Sequence, residues 1–189
     1  VDAAALNTLD GKTTVAIDAS NITTLTGAAA DLNTAYAANG SSLTGLGNEA
    51  ATLSDTTLAV SVLNTLDGNT TGAIDAGTVT TLTSDDYDSL NTAYTSANGG
   101  AITGLGDEAI SVSGRIRVSE ANTLNGHTAG VITATVTNSD GTGNLNISSA
   151  LSLNGTGNAY SIRIKEKTVS ASDLLACLLY TSPSPRDDR

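Results

Sequence analysis

The chain repeats itself, and this constrains its fold more than any other feature. "LNTLDGKTTVAIDAS" from Leu6 returns as "LNTLDGNTTGAIDAG" from Leu63. Tyr36 matches Tyr94, and "LTGLGNEA" from Leu43 matches "ITGLGDEA" from Ile102. A third copy opens at Ala121 with "ANTLNGHTAG" and then diverges. The period is about 57–59 residues, and each copy is itself double. "DLNTAYAANG" from Asp31 repeats the Leu-Asn-Thr core, so the half-period is about 28–30 residues. A unit this short cannot enclose a core of its own and must bury its apolar face against neighbouring units.

Each half has a local grammar. "SDDYDSLNTAYTSANGG" puts Tyr87, Leu90, Ala93, Tyr94 and Ala97 on one helical face. Ser84 is its expected cap, Asp85 and Asp86 suit its first turn, and Gly99 is expected to close it in a left-handed conformation. "SDTTLAVSVLNTLDG" does the same with Ala59, Val62, Leu63 and Leu66, between a cap at Asp55 and a stop at Gly68. Short β-prone pieces, "TVAIDA", "EAATLS", "GAIDA" and "EAISVS", lie between the helices. The pattern predicts an α/β repeat over residues 1–126, a solenoid-like stack of short strand plus short helix units with copies starting near 6, 63 and 121. A string of small β-rich domains is the competing architecture.

Over residues 127–170 the style changes to a small β-rich segment. Ile132, Ala134 and Val136 alternate, "LNISSALSL" follows, and Tyr160, Ile162 and Ile164 alternate again. "NSDGTGN" and "NGTGN" read as the turns between them. Residues 171–176 restart the helical phrase, because Ser172-Asp173-Leu174 echoes Ala30-Asp31-Leu32.

Residues 177–189 share nothing with the Thr/Ala/Asn/Gly-rich text before them, yet hold the only cysteine and both prolines. "CLLYTSPSPRD" (Cys177 to Asp187) resembles an in-frame translation of a transposase adaptor used in sequencing libraries, so the tail is read as non-native and set aside. The chain opens at Val1 and contains no Met, so residues 1–176 are expected to be a fragment of something longer. Without the tail there is no cysteine, which excludes disulfides, thiolate catalysis and Cys-based metal sites. No apolar run approaches the length of a membrane span, so no membrane insertion is expected of this fragment.

Charge is uneven. Up to Gly114 the chain sets thirteen acids against Lys12 alone, whereas Arg115 to Ala176 is nearly neutral. So acidic a surface repels nucleic acid and attracts cations. The sole histidine, His127, aligns with Lys12 and Asn69, which marks a solvated position rather than a catalytic one. With no second His and no thiol, a serine nucleophile has no activating partner, and no phosphate loop is present. The sequence therefore predicts no catalytic residues and no enzyme.

Three acids recur in pairs: Asp10/Asp67, Asp18/Asp75 and Glu49/Glu108. Asp10 and Asp67 precede the helix-ending glycine and read as turn formers. Asp18 and Asp75 sit at strand ends, where a column of like charge invites Ca²⁺ or turn hydrogen bonds. "NSDGTGN" offers Asn138, Asp140 and Asn144 as oxygen ligands around a Gly turn, but it lacks the closing Glu of a calcium loop. Asp18, Asp75, Asn138, Asp140 and Asn144 are thus the candidate Ca²⁺ ligands, with turn formation as the alternative at each.

Two resemblances follow from these phrases. "VAIDASNITTLTG" resembles a leucine-rich-repeat strand, with Val15, Ile17, Ile22 and Leu25 on the apolar positions and Ser20 where that family has Asn. "LNTLDGKTT", "TTLTGAAADLNTAY" and "ITGLGDEA" resemble the tandem Thr/Ala/Asp-rich repeats of giant secreted or surface proteins of aquatic bacteria, adhesin-like in style. That resemblance implies a non-enzymatic spacer or adhesive stalk, extracellular or at the cell surface. Its implied partners are neighbouring repeats and a surface glycan or protein. A ligand-binding module and an accessory region of a secreted hydrolase are the alternatives.

Overall fold

In the computed structural model, residues 1–138, 145–165, 168, 170–172 and 175 are described. The chain is an α/β fold with parallel sheets and, among the described residues, six helices. It divides into two compact units, residues 1–82 with 89–105 and residues 83–88 with 106–189.

The first unit alternates helix and strand. Helix α1 (Ala3–Asp10) leads through β1 (Ile17–Asp18) to β2 (Thr24–Gly27), and α2 (Ala29–Ala38) leads through β3 (Leu43–Thr44) to β4 (Ala50–Leu53). Then come β5 (Thr57–Ala59), α3 (Val60–Asn69), β6 (Ile74–Asp75), β7 (Thr81–Ser84), α4 (Tyr87–Asn98) and β8 (Ile102–Thr103). Strands β2, β4, β6 and β8 form one sheet in that order, and β1 pairs with β3. All these pairs are parallel: Ile17 lies opposite Leu43, Leu25 opposite Ala51, Ala51 opposite Ile74, and Ile74 opposite Ile102. Parallel neighbours need a crossover between them, and here the helices supply it.

The leucine of each Leu-Asn-Thr core does the same work. Leu6, Leu32, Leu63 and Leu90 are all buried. Tyr36 and Tyr94 are buried four residues further on, and Leu66 is buried at the position that Ala35 and Ala93 occupy in the other half-repeat. Phe and Trp are absent, so short helices and thin layers of Leu, Ile and Ala make up this core.

Several local expectations change. Helix α3 begins at Val60, which is buried, while Val62 is only half-buried. Asp55 does not cap α3, because the extended residues of β5 separate them. Its carboxylate instead accepts the Ala29 N–H at 2.8 Å, at the start of α2. Helix α3 also runs through Gly68 to Asn69. After α4 the left-handed residue is Gly100, with φ of 83°, rather than Gly99. Of the leucine-rich-repeat-like positions only Leu25 is buried, and Val15 is 74% exposed.

The second unit continues the pattern with β9 (Ala109–Arg117), α5 (Val118–Asn125), β10 (Ile132–Thr137), α6 (Ile147–Ala150) and β11 (Ala159–Ile162). Strand β10 pairs in parallel with β9 on one side and β11 on the other. Ile110, Ile116, Ile132, Ala134, Val136 and Tyr160 fill the inner face. Among the described residues of 127–170 the two alternating segments therefore pair in parallel rather than across a direct turn. The stretch "LNISSALSL" contains α6, capped by Asn146 accepting the Ser149 N–H at 2.7 Å, and Leu145, Ala150 and Leu153 are buried. A parallel pair cannot be closed by a two-residue turn, so this helix carries the crossover.

One glycine position shows how tightly successive copies meet. A Cβ on Gly72 would lie 2.2 Å from the Glu49 carbonyl oxygen, and one on Gly130 would lie 2.2 Å from that of Glu108. In the first copy Val15 occupies this place and is exposed. Gly72→Ala is therefore expected to cost about 1–3 kcal/mol, the range for overpacking a rigid contact. Val15→Ala should stay within about 0.5 kcal/mol, as for surface changes. Urea unfolding of the two variants checks this, and equal midpoints would refute it.

Candidate functional site

The most elaborate polar constellation is the joint between copies, and it occurs twice. Glu49 is buried, at 1% exposure, in a loop that contains no basic residue. Its carboxylate accepts the Gly47 N–H at 2.8 Å and the Tyr36 hydroxyl at 3.1 Å. The folded-back loop then presents main-chain carbonyls to the next copy. The Thr70 hydroxyl donates to Glu49 O at 2.7 Å, the Thr71 N–H donates to Gly47 O at 2.9 Å, and Thr70 Oγ1 accepts the Gly72 N–H at 3.0 Å.

In the second unit Glu108, also 1% exposed, accepts the Gly106 N–H at 2.7 Å and the Asp107 N–H at 3.2 Å. Thr128 Oγ1 donates to Glu108 O at 2.6 Å, the Ala129 N–H donates to Gly106 O at 2.8 Å, and the Gly130 N–H donates to Thr128 Oγ1 at 2.9 Å. A buried carboxylate survives only when hydrogen-bonded. Here the donors are its own loop's amides, joined at Glu49 by the Tyr36 hydroxyl, so this acid organises a backbone surface. Sequence reasoning noticed that Glu49 and Glu108 recur but gave them no role. The available signal was the fixed pairing of "GLG-N/D-E" with a later "Thr-x-Gly".

A second set of bonds ties each half-repeat to the next. The side-chain amides of Asn7, Asn33 and Asn64 donate to the carbonyls of Asp31, Val62 and Ser89, at 2.9, 3.0 and 2.9 Å. Each acceptor lies in the first turn of the following helix. In the second unit Asn122 donates to Ser152 O at 2.9 Å. The threonine that follows each of these asparagines turns back instead: Thr8, Thr34, Thr65 and Thr123 donate to the carbonyl four residues earlier. Asp10 and Asp67 accept the Ser42 and Ser96 hydroxyls, at 2.8 and 2.7 Å. These two aspartates are therefore links between half-repeats.

The candidate calcium ligands are dispersed. Asp18 is exposed beside Thr44, and Asp75 is exposed between Thr52 and Thr103. Each turns its carboxylate onto the amide two residues ahead, Ser20 or Gly77, at 3.0 Å. The Ser20 hydroxyl and amide hold the Asp18 carboxyl below its usual range. Asn138 is half-buried beside Arg117 and Lys165, while Asp140 and Asn144 lie outside the described residues. Among the described residues no three acidic, histidine or cysteine side chains gather as a metal site. Ca²⁺ takes six to eight oxygens, and Asp18 and Asp75 each already direct a carboxylate oxygen to a backbone amide. His127 is half-buried just past α5, its N–H donating to Leu124 O at 2.9 Å.

No protein-family model, curated protein or solved structure matches the chain. No helix among the described residues is long and apolar enough to cross a membrane.

These bonds set the expected response to pH and mutation. Burial pushes the Tyr36 phenol up to about 12, with Glu49 adding to the rise and Thr70 opposing it, and burial alone pushes Tyr160 up to about 12. Above pH about 10 the unfolded chain ionises these phenols while the folded chain keeps them neutral. Stability should therefore be intact below that pH and fall as pH rises from about 10 to about 12. Tyr36→Phe combined with Tyr160→Phe should flatten that decline in a series of thermal melts. Asn64→Ala strands the Ser89 carbonyl and should cost about 1–3 kcal/mol in urea unfolding. Millimolar Ca²⁺ should leave the melting midpoint where a chelator leaves it, and a rise of several degrees would restore the metal reading of Asp18 and Asp75.

Proposed function

We propose that this chain is a non-enzymatic structural repeat segment of a large extracellular or cell-surface protein. In this reading the half-repeats stack as an α/β solenoid and serve as a spacer or adhesive stalk. The observation that carries it is the destination of the recurring polar side chains. Asn7, Asn33, Asn64 and Asn122 each bond to the backbone of the following half-repeat, and the Glu49 and Glu108 carbonyls each receive a threonine of the following copy. Residues that recur for catalysis would converge on a common point. These are spent one joint at a time, which suits a chain whose product is length. The excess of acid over base in residues 1–114 keeps a long polymer of such units soluble.

Chains lengthened by one and by two further copies of residues 63–120 test the proposal. In a one-dimensional stack the unfolding free energy rises with each copy through its added interface. The maximum dimension from small-angle scattering should grow by a similar increment each time. Equal stability per molecule, or a dimension that does not grow, would count decisively against a spacer.

A further inference from the structure

The outward face of the second unit's sheet gathers the chain's positive charge. Arg115 and Arg117 project from β9, and Arg163 and Lys165 follow at the same alternation just beyond β11. All four are exposed. Between these two rows β10 presents the hydroxyl residues Thr133, which is exposed, and Thr135, which is half-buried. Register aligns them, since Thr135 lies opposite both Arg115 and Ser161, and Thr137 lies opposite Arg117. Arg115, Thr135, Ser161 and Arg163 line a groove of about 120 Å³, and Arg117, Thr137 and Lys165 border a larger cleft of about 320 Å³ beside it. Of the four cations only Arg117 has an acidic partner among the described residues, Glu120 at 3.1 Å.

We propose that this face is a binding surface for a linear acidic polysaccharide, whose carboxylate or sulfate groups pair with Arg115 and Arg163 while its hydroxyls bond to Thr135 and Ser161. Three considerations select that partner. Strands two apart lie about 9.6 Å from each other and residues two apart along a strand about 6.7 Å, so Arg115 and Arg163, diagonal to each other across β10, are about 12 Å apart along the backbone grid. The result is a spaced grid, suited to a polymer with regularly recurring charge. Guanidinium groups present a planar fork that matches oxyanions in two-point contacts.

The face also lacks what other partners use. Among the described residues of β9, β10 and β11 the one aromatic ring, Tyr160, is buried and no large apolar side chain is exposed, although Val131, 48% exposed, stands just before β10. Protein interfaces rely on aromatic and aliphatic anchors, and single-stranded nucleic acid relies on stacking platforms. The net charge of −11 does not forbid the contact. At physiological ionic strength charges act over about 8 Å, so a ligand here responds to the local cations. The inference holds whether or not the copies form an extended stack.

Retention of the full chain on immobilised polygalacturonate and dextran sulfate tests it, with neutral dextran and single-stranded DNA as comparators in near-physiological salt. At least one acidic polysaccharide should retain the protein; the one that does names the oxyanion, carboxylate or sulfate, and neutral dextran and DNA should not. Arg115→Glu with Arg163→Glu should lower the affinity at least tenfold. The milder Arg115→Gln with Arg163→Gln should give a smaller loss in the same direction, which covers a charge-reversed variant that folds poorly. Lys12→Glu, in the first unit, should change nothing. Failure of both acidic polymers to bind, undiminished binding by the arginine variants, or equal retention on DNA would each overturn the assignment.

Discussion

Everything in the two units rests on how main-chain carbonyls are held for the next segment to meet. At Glu49 and Glu108 a buried carboxylate pulls its own loop amides inward, so the carbonyls of that loop face outward toward Thr70 or Thr128. Buried backbone groups must be satisfied, and here the satisfaction comes from the following copy. The joint is compact because Gly72 and Gly130 let the backbones approach to a distance that no side chain would allow. Burying an acid with no cation beside it is costly, and the amide donors offset that cost locally.

Much of the architecture was legible in the sequence because a repeat shows its own grammar. The apolar spacing in "SDDYDSLNTAYTSANGG" places Leu90, Ala93 and Tyr94 inward, and all three are buried. The short β-prone pieces are the strands β1, β4, β6 and β9. The failures were failures of partnership. Asp55 looks like a cap for the helix that follows it in sequence, yet it caps the helix before it. "LNISSALSL" looks like part of a β-rich run, but its leucines serve a crossover helix that only parallel pairing makes necessary. Local sequence carries propensity but does not state which segment lies alongside.

The candidate site follows the same division. Recurrence singled out Asp18 and Asp75 as well as Glu49 and Glu108, and recurrence alone cannot tell an exposed turn from a buried joint. Burial separates them: both aspartates are exposed and turned onto their own backbone, whereas both glutamates are within the core. The basic grid was less visible still. Arg115 and Arg117 are separated from Arg163 and Lys165 in sequence by α5, β10, α6 and β11, and only the register of β9, β10 and β11 brings them onto one face.

The asparagine bonds have a consequence for how such a chain can change. Asn7, Asn33, Asn64 and Asn122 all donate to a backbone carbonyl, and Asn33 also accepts the Asn69 side-chain amide. A backbone acceptor is present whatever residue occupies the position, so these bonds, unlike those from Ser42 to Asp10 and from Ser96 to Asp67, place no demand on the identity of the neighbour. Copies can drift apart, as the one from Ala121 has done, or be duplicated and lost by recombination, with the connection intact. The same indifference lets a lineage adjust the number of copies without having to evolve new contacts at each step.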